Sequence, residues 1–155
     1  MNLLSRHFKR RIEDVNLSMG SSPVLELQAR ATRESWAALF SSLTGFALRR
    51  NWSSQARHAV ELSVEEWFEN LVSHAQGPHL WLRIDDQFDA VHLELRDDGP
   101  AFDPLAKPAP PLDRSLDDTP IGGLGLHLMR SLAQRITYDR QGSVNCLRLE
   151  VAKRP

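Results

Sequence analysis

The chain has 155 residues, 41% of them hydrophobic and 25% charged, with a formal net charge of -1. That length suits one domain with a substantial core rather than two, and the charge argues against direct nucleic-acid binding, which usually needs a basic face. The one cysteine, Cys146, excludes an internal disulfide, and no apolar run reaches the length of a membrane span or a signal core, so a cytoplasmic protein without a membrane partner is expected.

In chain order, residues 1–22 read as an N-terminal extension. Arg6, Lys9, Arg10 and Arg11 make it basic, and Gly20-Ser21-Ser22-Pro23 is a hinge signal. Either it is a partly disordered tail, or Leu4, Phe8 and Ile12 mark one side of a short helix that folds against this protein or a partner. Val24 to Ala29 alternates like a strand. Arg33 to Arg50 has helical periodicity, with Trp36, Phe40, Leu43 and Ala47 on one side and Thr32 as N-cap.

Ser53 to Ala75 predicts the longest helix, capped by Ser53 or Ser54 and ended by Gln76-Gly77-Pro78. Its apolar stripe of Val60, Val64, Trp67, Phe68, Leu71, Val72 and Ala75 should face a sheet. Beside it Glu66, Asn70 and His74 recur every four residues and so share one side. An Asn carbonyl is a fitting oxygen ligand for Mg2+, and a Glu one turn earlier can accept a hydroxyl proton. The same spacing also suits an ordinary solvated helix.

His79 to Asp85 and Ala90 to Arg96 predict a hairpin, His127 to Ala133 a helix, and Arg135 to Arg140 with Ser143 to Val151 a second hairpin. The order β-α-α-β-β-loop-α-β-β is α+β: a two-layer sandwich with a mixed, mostly antiparallel sheet covered by helices. Two loops interrupt this order. Asp97-Asp98-Gly99-Pro100-Ala101-Phe102-Asp103 follows a strand end. It is either an acidic surface turn or a site where Asp97 accepts from a ligand's amino group while Gly99 permits close approach. Ile121-Gly122-Gly123-Leu124-Gly125-Leu126 opens into a helix; its glycines either turn the chain or expose backbone N–H groups to phosphate. Between them, the proline-rich stretch 103–120 is long for a structureless connection and reads as a lid or binding loop.

Taken together, these motifs resemble the anti-sigma-factor serine/threonine kinases, the partner-switching branch of the ATPase superfamily that includes histidine kinases, the gyrase B subunit and MutL. The likeness runs from about Val24 to the end, so residues 23–155 are expected to form a histidine kinase-like ATPase domain of the Bergerat type. Glu66-Trp67-Phe68-Glu69-Asn70, continuing to His74, resembles the N box, which implies Glu66 as general base and Asn70 as Mg2+ ligand. Asp97 to Asp103 resembles the first glycine box, which implies Asp97 against the adenine amino group with Gly99, Ala101 and Phe102 around it. Gly122, Gly123, Leu124, Gly125 and Leu126 resemble the second glycine box, which implies contact with the phosphates. Ala101 stands where the first box often has another glycine, and Gln134 where the regulatory kinases commonly carry Asp.

The resemblance implies ATP and Mg2+ as cofactors, homodimerisation, and two protein partners: a sigma factor held inactive and a STAS-domain anti-anti-sigma protein phosphorylated on Ser or Thr. A second reading keeps the fold and nucleotide binding but acts by protein contact alone. His58, His74 and His127 belong to no zinc set, since Cys146 lies far along the chain inside a strand.

Overall fold

A computed structural model describes residues 16–18, 23–106 and 123–153. The rest of the N-terminal extension, including Leu4, Phe8 and Ile12, lies outside the described residues, as does most of the expected lid. The described elements are β1 (Asn16–Ser18), β2 (Val24–Arg30), α1 (Arg33–Arg49), α2 (Ser54–His74), β3 (His79–Asp86), β4 (Ala90–Asp97), α3 (Gly123–Leu132), β5 (Arg135–Gln141) and β6 (Val144–Ala152). The strands form one sheet in the order β1-β2-β3-β4-β6-β5, and every described pairing is antiparallel. With helices on one face, this is the expected α+β sandwich.

Alternation along the strands sets the two faces. Leu25 and Leu27 of β2, Leu80, Leu82 and Ile84 of β3, Leu93 and Leu95 of β4, and Leu147 and Leu149 of β6 are buried on the inner face. On the outer face, Glu26, Arg83, Glu94 and Arg148 stand in register on successive strands. Arg83 pairs with Glu26, and Arg148 donates to Glu94 and to Asp139 at 2.9 Å each. Opposite charges on neighbouring strands make that surface compatible with water.

α1 packs on β2, and α2 packs on β4 and β6. Leu39, Leu43, Phe46 and Ala47 form the buried side of α1. Trp36 and Phe40, expected on that same side, lie at its margin, where the Trp36 ring stacks 4.8 Å from Phe68 of α2. Ser53 caps α2, its hydroxyl accepting from Ala56 N–H at 3.1 Å. The helix stops at His74, with Ala75 extended and Gly77 at a φ of 60° that glycine tolerates without a Cβ clash. These are the ends expected from the cap and breaker residues.

One strand differs from its sequence reading. Asn16–Ser18 is an edge strand paired with Glu26 to Gln28, although the sequence places it within a tail. Three residues with no apolar alternation carry no strand signal; the unpaired edge of β2 supplies the reason to pair.

At the end of the sheet where β3 turns into β4, Asp86 is buried and accepts from Arg50 Nε at 2.6 Å, Trp52 Nε1 at 2.7 Å and Lys153 Nζ at 2.9 Å. It ties the end of α1 to the last strand. Burial pushes its carboxyl up, but the hydrogen bonds from Lys153, Arg50 and Trp52 outweigh burial and hold it below the usual range. Its contribution to stability is therefore present above the unfolded carboxyl's pKa and is lost as pH falls through and below that value. Asp86→Asn should destabilise the fold by about 3 kcal/mol at neutral pH, read from urea denaturation, and the deficit should shrink on acidification. A variant equal to wild type at pH 7 would show that the cluster holds nothing together.

Candidate functional site

A carboxylate removed from water needs donors, and Asp97 at the end of β4 has three. Trp67 Nε1 of α2 donates to its Oδ2 at 3.2 Å, while Gly99 N–H at 3.0 Å and Asn145 Nδ2 at 2.8 Å donate to its Oδ1. Asn145 lies directly across from Asp97 in the β4–β6 ladder. Its Nδ2 also reaches Pro100 O at 2.9 Å, and its Oδ1 accepts from Tyr138 OH at 2.8 Å and Arg140 Nη1 at 2.6 Å. That ring of contacts fixes which way the amide points. A Cβ on Gly99 would approach Asp97 Oδ1 to 2.9 Å, so glycine is needed there to let the loop fold back onto the carboxylate.

Asp97 forms part of a cleft enclosing about 570 Å³ of empty space, open solvent at its mouth included. Asn70, His74 and Phe102, all expected site residues, line the same cleft, as does Leu126. Trp67, Leu71, Met129 and Leu147 add apolar walls. Mostly apolar surface around one anchored carboxylate suits a flat heterocycle that presents a hydrogen-bond donor.

On α2, the expected polar rungs divide. Asn70 Nδ2 donates to Glu66 O at 2.7 Å, which leaves Oδ1 as the acceptor of a side chain lining the cleft. An oxygen so presented fits a hard cation such as Mg2+. His74 is exposed at the helix end. Glu66 lies outside the cleft lining and points to α3, where its carboxylate sits over Gly125. Burial, then the like charges of Glu65 and Glu69, push the Glu66 carboxyl above its usual value.

The second glycine stretch differs from its sequence reading. Helix α3 starts at Gly123, so Gly123 to Leu126 form its first turn rather than a loop, and helical structure begins four residues before the expected His127. Gly123 and Gly125 both take helical backbone despite their poor propensity, and Gly125 has no positive φ. Gly122 lies outside the described residues. Ala101 is exposed and off the cleft lining. Where the proline-rich stretch departs, Pro104 is buried and Arg130 of α3 donates to its carbonyl.

Trp67, Asn145, Tyr138 and Arg140 are the site residues that sequence reasoning missed. Trp67 counted only as apolar stripe, yet its indole N–H is a donor. Asn145 had a signal, as an amide flanked by apolar positions in a strand, but its partner depends on the strand order. Asn145→Leu would strip donors from Asp97 Oδ1 and Pro100 O together. A loss of about 1–3 kcal/mol in urea denaturation is expected, and an unchanged midpoint would remove the network's structural role.

The family model of the histidine kinase-like ATPase domain matches residues 29–151, from β2 through β6. The chain is 40% identical over 131 residues to the serine/threonine-protein kinase BtrW of Bordetella bronchiseptica, an alignment covering 81% of this chain and 89% of that protein. Among solved structures, the Acinetobacter baumannii histidine kinase AdeS aligns at a TM-score of 0.46 and 17% identity, over 77% of this chain and 66% of that one. Among the described residues, no helix is long and apolar enough to cross a membrane. Matched by that family model over most of its length, the chain belongs to the histidine kinase-like ATPase domain family.

Proposed function

We propose that this protein is an Mg-ATP-dependent serine/threonine protein kinase that also holds a sigma factor, and that its phosphoryl acceptor is a STAS-domain anti-anti-sigma protein. The observation that carries this reading is the single cleft in which Asn70 of α2, Asp97 of β4 and Leu126 of α3 converge. The kinase name of BtrW supports the reaction class. Asp97 would accept from the adenine amino group between the walls of Leu71, Met129 and Phe102. The N–H groups of the first turn of α3 would meet the phosphates.

Among the described residues no three of His, Cys, Asp and Glu converge on a metal site. Asn70 Oδ1 would therefore share Mg2+ with phosphate oxygens and water, the usual manner for this ion. When bound, Mg2+ neutralises charge on the phosphates. In the transfer, a serine or threonine Oγ of the partner forms a bond to the γ-phosphorus as the bond to the β-bridging oxygen breaks. ADP leaves, and the hydroxyl proton passes to Glu66. A carboxyl raised above its usual range by burial is better matched to take that proton than an exposed one. The new phosphate brings close to two negative charges to the partner surface, enough to break a contact. Homodimerisation belongs to the same reading.

Labelled ATP and STAS-domain proteins from the host genome test it. Asp97→Ala, checked for folding by circular dichroism, should lose roughly 10- to 100-fold in ATP affinity by calorimetry. Asn70→Ala should lose Mg2+-dependent binding and transfer together. Glu66→Gln should bind Mg-ATP near normally and transfer ~10²-fold more slowly or worse. Wild-type transfer in Glu66→Gln removes the base assignment. Tight ATP binding with no transfer to any candidate leaves a nucleotide-gated binding switch instead.

A further inference from the structure

Gly125 is an expensive choice of residue. It lies in the first turn of α3 with ordinary helical backbone, not the left-handed conformation that demands glycine. Glycine is also the poorest helix former after proline. No conformational need explains it, but α2 does. A Cβ built on Gly125 would fall within the Glu66 carboxylate, overlapping Cδ and both Oε atoms. Gly45 of α1 makes a contrast, since a Cβ there would meet only the tip of Arg49 at 3.2 Å. α2 and α3 pack directly, and Glu66 is half-buried between them. Its neighbouring charges are Glu65 and Glu69 of its own helix.

We infer that Gly125 is a positioning residue: the space left by its absent side chain is the seat that holds the Glu66 carboxylate against α3. The inference rests on Glu66 serving as the base in the reaction proposed above. The atoms that would collide are the far end of a flexible side chain. A methyl group at 125 would therefore be accommodated by turning the carboxylate out, with little cost to the fold and a large one to its aim. Alanine keeps the backbone N–H available to phosphate, so nucleotide binding and base geometry come apart in one substitution.

The test uses the full chain as wild type, Gly125→Ala, Glu66→Gln and the double variant. In protein labelled with carboxyl-13C glutamate and free of nucleotide, the Glu66 resonance is assigned by its loss in Glu66→Gln. It should move in Gly125→Ala more than those of Glu65 and Glu69. Thermal denaturation of Gly125→Ala should come no lower than wild type, because alanine is the better helix former. Its Mg-ADP dissociation constant should stay within roughly 3-fold of wild type, while phosphate transfer to the STAS-domain acceptor falls roughly 10- to 100-fold. The double variant should transfer no more slowly than Glu66→Gln alone, as expected when one change acts through the other. An unmoved resonance, losses that multiply in the double variant, or Mg-ADP affinity falling in step with transfer would each overturn the seat. A wild type that transfers to no acceptor removes the kinase reading instead, and the resonance still decides where the carboxylate sits.

Discussion

The site depends on one buried carboxyl group being kept hydrogen-bonded on both oxygens. A carboxylate with 4% exposure is tolerable only if nearly every lone pair is met, and at Asp97 this draws donors from three places. An indole comes from α2, a carboxamide from β6 and a backbone N–H from the following loop. Each donor thereby fixes one wall of the cleft relative to the others. Asn145 extends the effect, because Tyr138 and Arg140 of β5 hold its oxygen while its nitrogen faces Asp97. The buried carboxyl group and the wall geometry are thus one network, with its polar demand met by protein donors.

Helix α2 shows how one face can serve two purposes. Glu66 and Asn70 are a single turn apart, and periodicity alone would aim them alike. Packing against α3 separates them. Asn70 turns its amide back to the Glu66 carbonyl and stays in the cleft lining, whereas the Glu66 carboxylate crosses to Gly125. In the kinase reading proposed above, that divergence keeps the Mg2+ ligand and the proton acceptor from competing for one cation.

Much of this was legible in the sequence, for identifiable reasons. Helix α2, 21 residues long, declared itself through its periodicity between a serine cap and a Gly-Pro stop, and both ends fall within a residue of the expectation. Asp97 was singled out by the likeness of Asp97 to Asp103 to a first glycine box, since the stretch alone reads equally as an acidic surface turn. What stayed hidden depended on strand order or on neighbours far along the chain. β6 lies between β4 and β5, so Asn145 faces Asp97, and nothing local to either residue states that. The start of α3 was misplaced because glycine was read as a loop signal, when at Gly125 it marks a tight helix–helix approach. β1 was missed because its pairing is a property of the edge it covers.

The two clusters of buried charge lie at opposite ends of β3 and β4. Asp97 closes β4 at the cleft, and Asp86 closes β3 where it turns back toward Ala90. Eight residues of strand put them on the order of 25 Å apart. The ion cluster fastening α1 to the last strand therefore shares no side chain with the hydrogen-bond network at Asp97. Substitutions near Arg50, Trp52 and Lys153 can drift, or be selected for robustness, without retuning what the cleft accepts. The layout divides mutational risk: one end of the sheet is free to trade in stability, the other in chemistry.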